Sequence, residues 1–196
     1  GSTGTSATPV VASNESWNGS AWTELNDLNT ARQGIIGTGA DNTACLGSGG
    51  GASPGKQSVV ESWNGSSWTE TTDLNTARNE GAGSGTQPAT IVFGGQAPPG
   101  NTANTELWNG GFSSDETGST EEWNAATGIG AWSSGGDLNT ARTALGNAGT
   151  QTAALGMGGI VSGTALTSNE SYNGSTWTEI ADLNTGANSL GSNGTQ

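Results

Sequence analysis

The sequence predicts an all-β chain, a β-propeller built of four-stranded blades with about four repeats visible. Three observations predict it. The tetrad Asp-Leu-Asn-Thr starts at Asp27, Asp73, Asp137 and Asp182, at steps of 46, 64 and 45 residues, and self-similarity at a fixed period of roughly 45 residues marks repeat architectures. The same residues precede each tetrad: a Trp five positions before (Trp22, Trp68, Trp132, Trp177), an aromatic followed by Asn further upstream (Trp17, Trp63, Trp123, Tyr172), and a Glu two before that aromatic (Glu15, Glu61, Glu121, Glu170). Helix signals are nearly absent, because Gly supplies 35 of 196 residues, Ser and Thr are abundant, and no 3.6-residue apolar period appears.

Within a unit, the stretch from Glu61 to Arg78 reads as two short strands around Asn64-Gly65. That dipeptide suits a two-residue type I′ turn, in which both central residues take φ > 0. Such a loop pairs Trp63 with Ser66 and Glu61 with Trp68, and places Trp63, Trp68 and Glu61 on one face. A single hairpin cannot bury two Trp by itself and needs its copies. Upstream lies an apolar run into a Gly pair, as at 90–93 before Gly94 and Gly95, or before Gly158 and Gly159. Another strand follows the tetrad and its Arg, as at 141–149. Four short strands per unit point to propeller blades.

The third unit is longer. Glu106-Leu107-Trp108-Asn109 stands at the regular offset from Gly95, and Glu121-Glu122-Trp123-Asn124 follows as a second start; the spacing leaves open which of the two enters the sheet. The whole reads as one domain or segment over 1–196, with hairpins near 15–27, 61–73, 106–137 and 170–182. By motif count it holds three complete units, two strands in front and one behind. A ring closed from it alone lacks one strand and leaves two bare edges, so the expectation is a longer propeller or array, or a strand supplied by a neighbour.

With 17 acidic and 4 basic residues the net charge is −13. Such a surface repels phosphates and anionic membranes, which argues against nucleic-acid binding and membrane insertion. No apolar run approaches the ~18 residues of a membrane helix. Without His, neither Ser-His-Asp and Cys-His nucleophile systems nor imidazole metal ligands can be assembled, and no cofactor is expected. The single Cys45 reads as a buried small residue.

The order apolar strand, Gly pair, aromatic-Asn, Trp, Arg resembles the kelch repeat family of β-propellers, and similar repeats occur in phage and bacterial surface proteins. The resemblance implies that Gly94-Gly95 ends a second strand, Trp63-Asn64 lies on a third, Trp68 on a fourth, and Arg78 precedes the innermost strand of the next blade. The fourth unit departs from this pattern, since Gly186-Ala187-Asn188 follows its tetrad without an Arg.

The Glu that recurs once per unit marks a structural position more than a catalytic pair, and its expected partners are Arg32, Arg78 and Arg142, whose planar forks suit carboxylates. The repeated Trp are expected in the core. Asn18, Asn64 and Asn173, at one repeat position within Asn-x-Ser/Thr sequences, are candidate glycosylation acceptors. The acidic insertion with Asp115 and Glu116 is the one break in the repeat and the candidate contact loop. The functional expectation is a non-catalytic structural or adhesive protein of an extracellular or virion surface, contacting other subunits, copies of itself or glycans. The alternative is an intracellular kelch-type adaptor.

Overall fold

In the computed structural model, residues 10–52, 55–110 and 130–190 are described. Their regular structure is entirely β, without a helix. A hairpin opens the described chain: β1 (Asn14–Trp17) and β2 (Trp22–Leu25), paired with each other alone among the described residues. The first full sheet contains β3 (Ile36–Asp41) and β4 (Ala44–Ser48), then a two-residue ribbon of β5 (Gly51–Ala52) and β6 (Gly55–Lys56), then β7 (Val60–Trp63) and β8 (Trp68–Glu70). Its order is β3-β4-β7-β8, antiparallel throughout.

The same plan is repeated twice. β9 (Ala82–Thr86), β10 (Ala89–Phe93), the ribbon β11 (Gln96–Ala97) and β12 (Gly100–Asn101), β13 (Thr105–Asn109) and β14 (Ala131–Ser134) form the second sheet. β15 (Gly146–Thr150), β16 (Ala153–Met157), the ribbon β17 (Ile160–Val161) and β18 (Thr164–Ala165), β19 (Asn169–Tyr172) and β20 (Trp177–Ile180) form the third. The four strands per unit are therefore present. The ribbons, which fill the gap between each second and third strand, were not foreseen from the sequence.

The Trp hairpin differs from its expected register. Trp63 pairs with Trp68 and Glu61 with Glu70, so the loop holds four residues and not two. Asn64 works through its side chain: Oδ1 accepts from the backbone N–H of Ser66 and Ser67, both at 2.9 Å, and from Ser66 Oγ at 3.0 Å. Gly65 alone takes a positive φ, +91°. The two Trp therefore face each other directly, with ring centroids 5.3 Å apart. Asn18 and Asn173 build the same loop, and all three Asn are exposed.

In the third unit Trp108 holds the repeat position, paired with Trp132 across β13 and β14. Of the two starts that the spacing left open, the one at 106–109 is in the sheet; Trp123, counted among the repeated aromatics, lies outside the described residues together with Glu121, Asp115 and Glu116. Position explains the outcome, since Glu106 and Trp108 keep the regular distance from the Gly pair.

First strands of consecutive sheets lie side by side, β9 between β3 and β15. Their small residues are a steric requirement: a Cβ on Gly83 would stand 2.6 Å from Thr38 Cγ2 and 2.9 Å from Ile36 Cγ2. The apolar core lies between sheets, not within one. Ile36, Leu46, Val60 and Leu74 meet Val92, Trp108 and Trp132 between the first and second. Ala82, Ile91, Phe93 and Leu138 meet Leu145, Ala154, Tyr172 and Trp177 between the second and third, with Phe93 and Trp177 centroids 4.6 Å apart. Each fully buried Val, Leu, Ile or Phe contributes about 1.5–3 kcal/mol, so neighbouring sheets hold one another folded. Trp17 and Trp22 correct the expectation that all the repeated Trp are core. They stack on each other at 5.4 Å but stay 47% and 65% exposed, because their hairpin has no first and second strand beside it among the described residues.

Candidate functional site

The most distinctive arrangement of charge is built from the third strand of each sheet. Glu61, Glu106 and Glu170 are buried there, where an uncompensated carboxylate would be very costly. Compensation comes from the segment preceding the first strand of the same sheet. For Glu106, Arg78 Nη2 donates to Oε1 at 2.6 Å, the Asn75 backbone N–H to Oε2 at 2.6 Å and the Thr76 N–H to Oε1 at 3.2 Å. The guanidinium is filled as well: Nη1 donates to the carbonyls of Gly94 at 3.1 Å and Asn104 at 2.7 Å, and Nε to Thr76 at 3.5 Å. The cluster recurs with Arg32, Asn29 and Thr30 around Glu61 and with Arg142, Asn139 and Thr140 around Glu170. The Asn side chain also caps the fourth strand, donating from Nδ2 to the carbonyl of Trp68, Trp132 or Trp177.

The Asn-Thr of the tetrad is thus an amide cradle for a carboxylate. Sequence reasoning paired the Glu with the Arg but missed the cradle, since backbone donors have no residue signature; the fixed distance from tetrad to Glu was the available signal. Each connector also faces backward. Arg78 accepts from the Gly50 N–H at 2.8 Å and donates its own N–H to Gln57 at 3.1 Å, in the preceding sheet. Its backbone therefore holds one sheet and its side chain the next. Ala187 keeps only the first role: its carbonyl accepts from Gly159 at 2.8 Å, and it has no guanidinium. Gln87 and Gln151, at the tips of first hairpins, reach back to the preceding third strand, to the Trp63 and Trp108 carbonyls at 2.8 and 2.6 Å. The available sequence signal for that role is Gly-Thr-Gln, which recurs at 85–87 and 149–151.

Where the first strands converge, a groove of ≈ 580 Å³ opens, lined mainly by Gly, Ser, Thr and Asn, with Asp41 its one charged residue. Hydrogen bonds from the Thr43 side chain and backbone hold the exposed Asp41 carboxyl below its usual range, and it is ionised at neutral pH. Glycoside hydrolysis needs a second carboxyl beside the first, and among the described lining residues Asp41 carries the single carboxyl. Among the described residues no three of Cys, Asp and Glu gather as a metal site. Cys45, also on the groove, is half-buried, less than the full burial expected for it. Burial, then the charge of Asp41, push its thiol above the usual value, so the nucleophilic thiolate is scarce at neutral pH. Iodoacetamide should label Cys45 more slowly than free cysteine at neutral pH, and faster as pH rises; equal rates at neutral pH would contradict this environment.

Fold and cluster together define an all-β chain of repeated four-stranded antiparallel sheets, each fastened to the next through a connector with a buried Arg–Glu cluster. No protein-family model matches the chain, and no curated protein matches it in sequence. The kelch resemblance therefore rests on motif order and spacing.

Proposed function

We propose that the sheets are blades of a kelch-like β-propeller, alone or within a longer array, and that the protein is a non-catalytic structural and adhesive component of an extracellular or virion surface. The observation that carries this reading is the use made of charge. All three buried carboxylates among the described residues are neutralised by Arg and backbone amides in the same way. Three of the chain's four basic residues are spent on them. What remains outside is an acidic, Lys-poor surface with polar Asn-Gly loops, suited to contacts with proteins or glycans and repelled by nucleic acid. The exposed tips at Asn18, Asn64 and Asn173, and the loop with Asp115 and Glu116, are the proposed points of contact or glycosylation.

The purified chain, fluorescently labelled, should bind a subset of a glycan array or of intact cell surfaces without turning over any member of a glycoside panel. Turnover lost in a single Glu variant would replace this reading with an enzymatic one.

A further inference from the structure

Among the described residues Asn-Gly occurs at Asn18-Gly19, Asn64-Gly65, Asn109-Gly110 and Asn173-Gly174. All of these Asn are exposed, so access to water does not separate them. Their hydrogen bonds do. At each hairpin tip the Asn side-chain oxygen accepts from two backbone N–H groups and a serine hydroxyl. Asn18 Oδ1 accepts from the N–H of Ser20 at 2.9 Å and of Ala21 at 3.0 Å, and from Ser20 Oγ at 2.9 Å. Asn173 Oδ1 accepts from the N–H of Ser175 at 3.0 Å and of Thr176 at 2.9 Å, and from Ser175 Oγ at 3.1 Å. Asn64 has the same set from Ser66 and Ser67. The N–H groups of the glycines that follow, Gly19, Gly65 and Gly174, meet no acceptor among the described residues. Gly110 is different. Its N–H donates to the Pro88 carbonyl at 2.9 Å, and the Asn109 oxygen before it is met by Gln151 Nε2 at 3.3 Å.

We propose that the hairpin tips are sites of spontaneous deamidation, Asn18, Asn64 and Asn173 each closing to a succinimide with the glycine that follows, and that Asn109 is spared. The glycine nitrogen attacks the Asn Cγ and its proton passes to water or hydroxide. As the N–Cγ bond forms, the carbonyl electrons move onto Oδ1 as an oxyanion. The Cγ–Nδ2 bond then breaks, and the former amide leaves as ammonia with a proton from solvent. Water opens the imide ring at either carbonyl, leaving Asp or isoaspartate. Water enters, ammonia leaves, and nothing is oxidised or reduced. Hydrogen bonds to an ionised oxygen are roughly twice as strong as those to a neutral one. The donors already aimed at Oδ1 therefore stabilise the oxyanion more than the starting amide, which is what lowers a barrier. An uncommitted glycine N–H can lose its proton and turn toward Cγ without giving up a bond. Gly110 must first break its bond to Pro88. Each event adds one negative charge to a chain that already carries −13. A converted tip has lost the Nδ2 to which a glycan would attach, so the two modifications exclude each other there. The inference rests on loop geometry and does not depend on the adhesive reading.

Peptide mapping by mass spectrometry tests it on the full chain aged at mildly alkaline pH in oxygen-labelled water, with electron-transfer fragmentation separating Asp from isoaspartate. In the folded chain each tip should convert about tenfold or more faster than Asn109, with label in the new carboxyl. In the urea-unfolded chain all of these Asn-Gly pairs should convert at similar rates. Ser66→Ala, shown to be folded by circular dichroism, removes one donor from Asn64 Oδ1. It should slow Asn64 about fivefold, the scale of one neutral hydrogen bond, while Asn18 and Asn173 in the same molecule keep their rates. Equal rates at the tips and at Asn109 in the folded chain would overturn the proposal. So would a preference for the tips that persisted after unfolding, which would assign it to local sequence alone. An Asn64 rate unchanged by Ser66→Ala would overturn the oxyanion role given to the donors.

Discussion

Replacing Arg78 by Ala is expected to destabilise the fold by about 3–5 kcal/mol, the usual cost of leaving one partner of a buried ion pair uncompensated. Both side chains are almost fully buried, so water cannot take the place of the guanidinium around Glu106. Burial lowers the Arg78 pKa, because it disfavours the charged form. The Glu106 charge and hydrogen bond, and then Asp137, act against it. Arg is nonetheless protonated across the working range, so the pair stays charged. At about 2–4 °C per kcal/mol for a chain of this size, the melting midpoint should fall by roughly 10 °C. Arg78→Lys should recover only part of this, since a point charge cannot serve Gly94, Asn104, Thr76 and Glu106 together. A double replacement, Arg78→Met with Glu106→Leu, should be milder than Arg78→Ala alone, because no charge is left buried. An unchanged midpoint for Arg78→Ala would show that the cluster is dispensable.

Gly95→Ala should cost about 2–4 kcal/mol through two additive causes, backbone strain and collision. Gly95 has φ of +95°, and an added Cβ would lie 2.7 Å from the Asn79 carbonyl oxygen, 2.8 Å from Gly81 N and 2.9 Å from Gly81 Cα. All three are backbone atoms and cannot rotate away. Gly19 provides the control, with a similar φ of +97° and nothing within 4 Å of an added Cβ. Gly19→Ala should therefore show only the conformational part, about 1 kcal/mol. Equal midpoint losses for the two variants would mean that close approach at the Gly pair carries no weight.

The parts of this architecture legible in the sequence are those written in side chains at fixed offsets. The four strands per unit, the Gly pair and the partnership of Glu with Arg all come from residues whose type is restricted. What was not legible is done by backbone or by absence. The amides of Asn75 and Thr76 could belong to many residue types. Asn64 fits an I′ turn and an Asx-type loop equally well by composition, and only the register separates them. Trp17 and Trp22 carry the motif in full, yet exposure depends on neighbours that a motif does not contain. Trp108 and Trp123 offer nearly the same local sequence, and only distance from Gly95 distinguishes them. The groove along the first strands leaves almost no trace, because Gly, Ser and Thr line it through main-chain shape.

The two-way connector has a consequence for how such a chain changes length over generations. Each unit of about 45 residues brings one buried acid and one connector able to receive the acid of the unit after it. Duplicating or deleting a whole unit therefore keeps donors and acceptors in step at every internal junction and strands no charge in the interior. Only the two outermost faces are left to be matched, whatever the number in between. An array with this grammar can be lengthened or shortened by recombination without any compensating substitution, which gives near-identical copies a physical reason to persist.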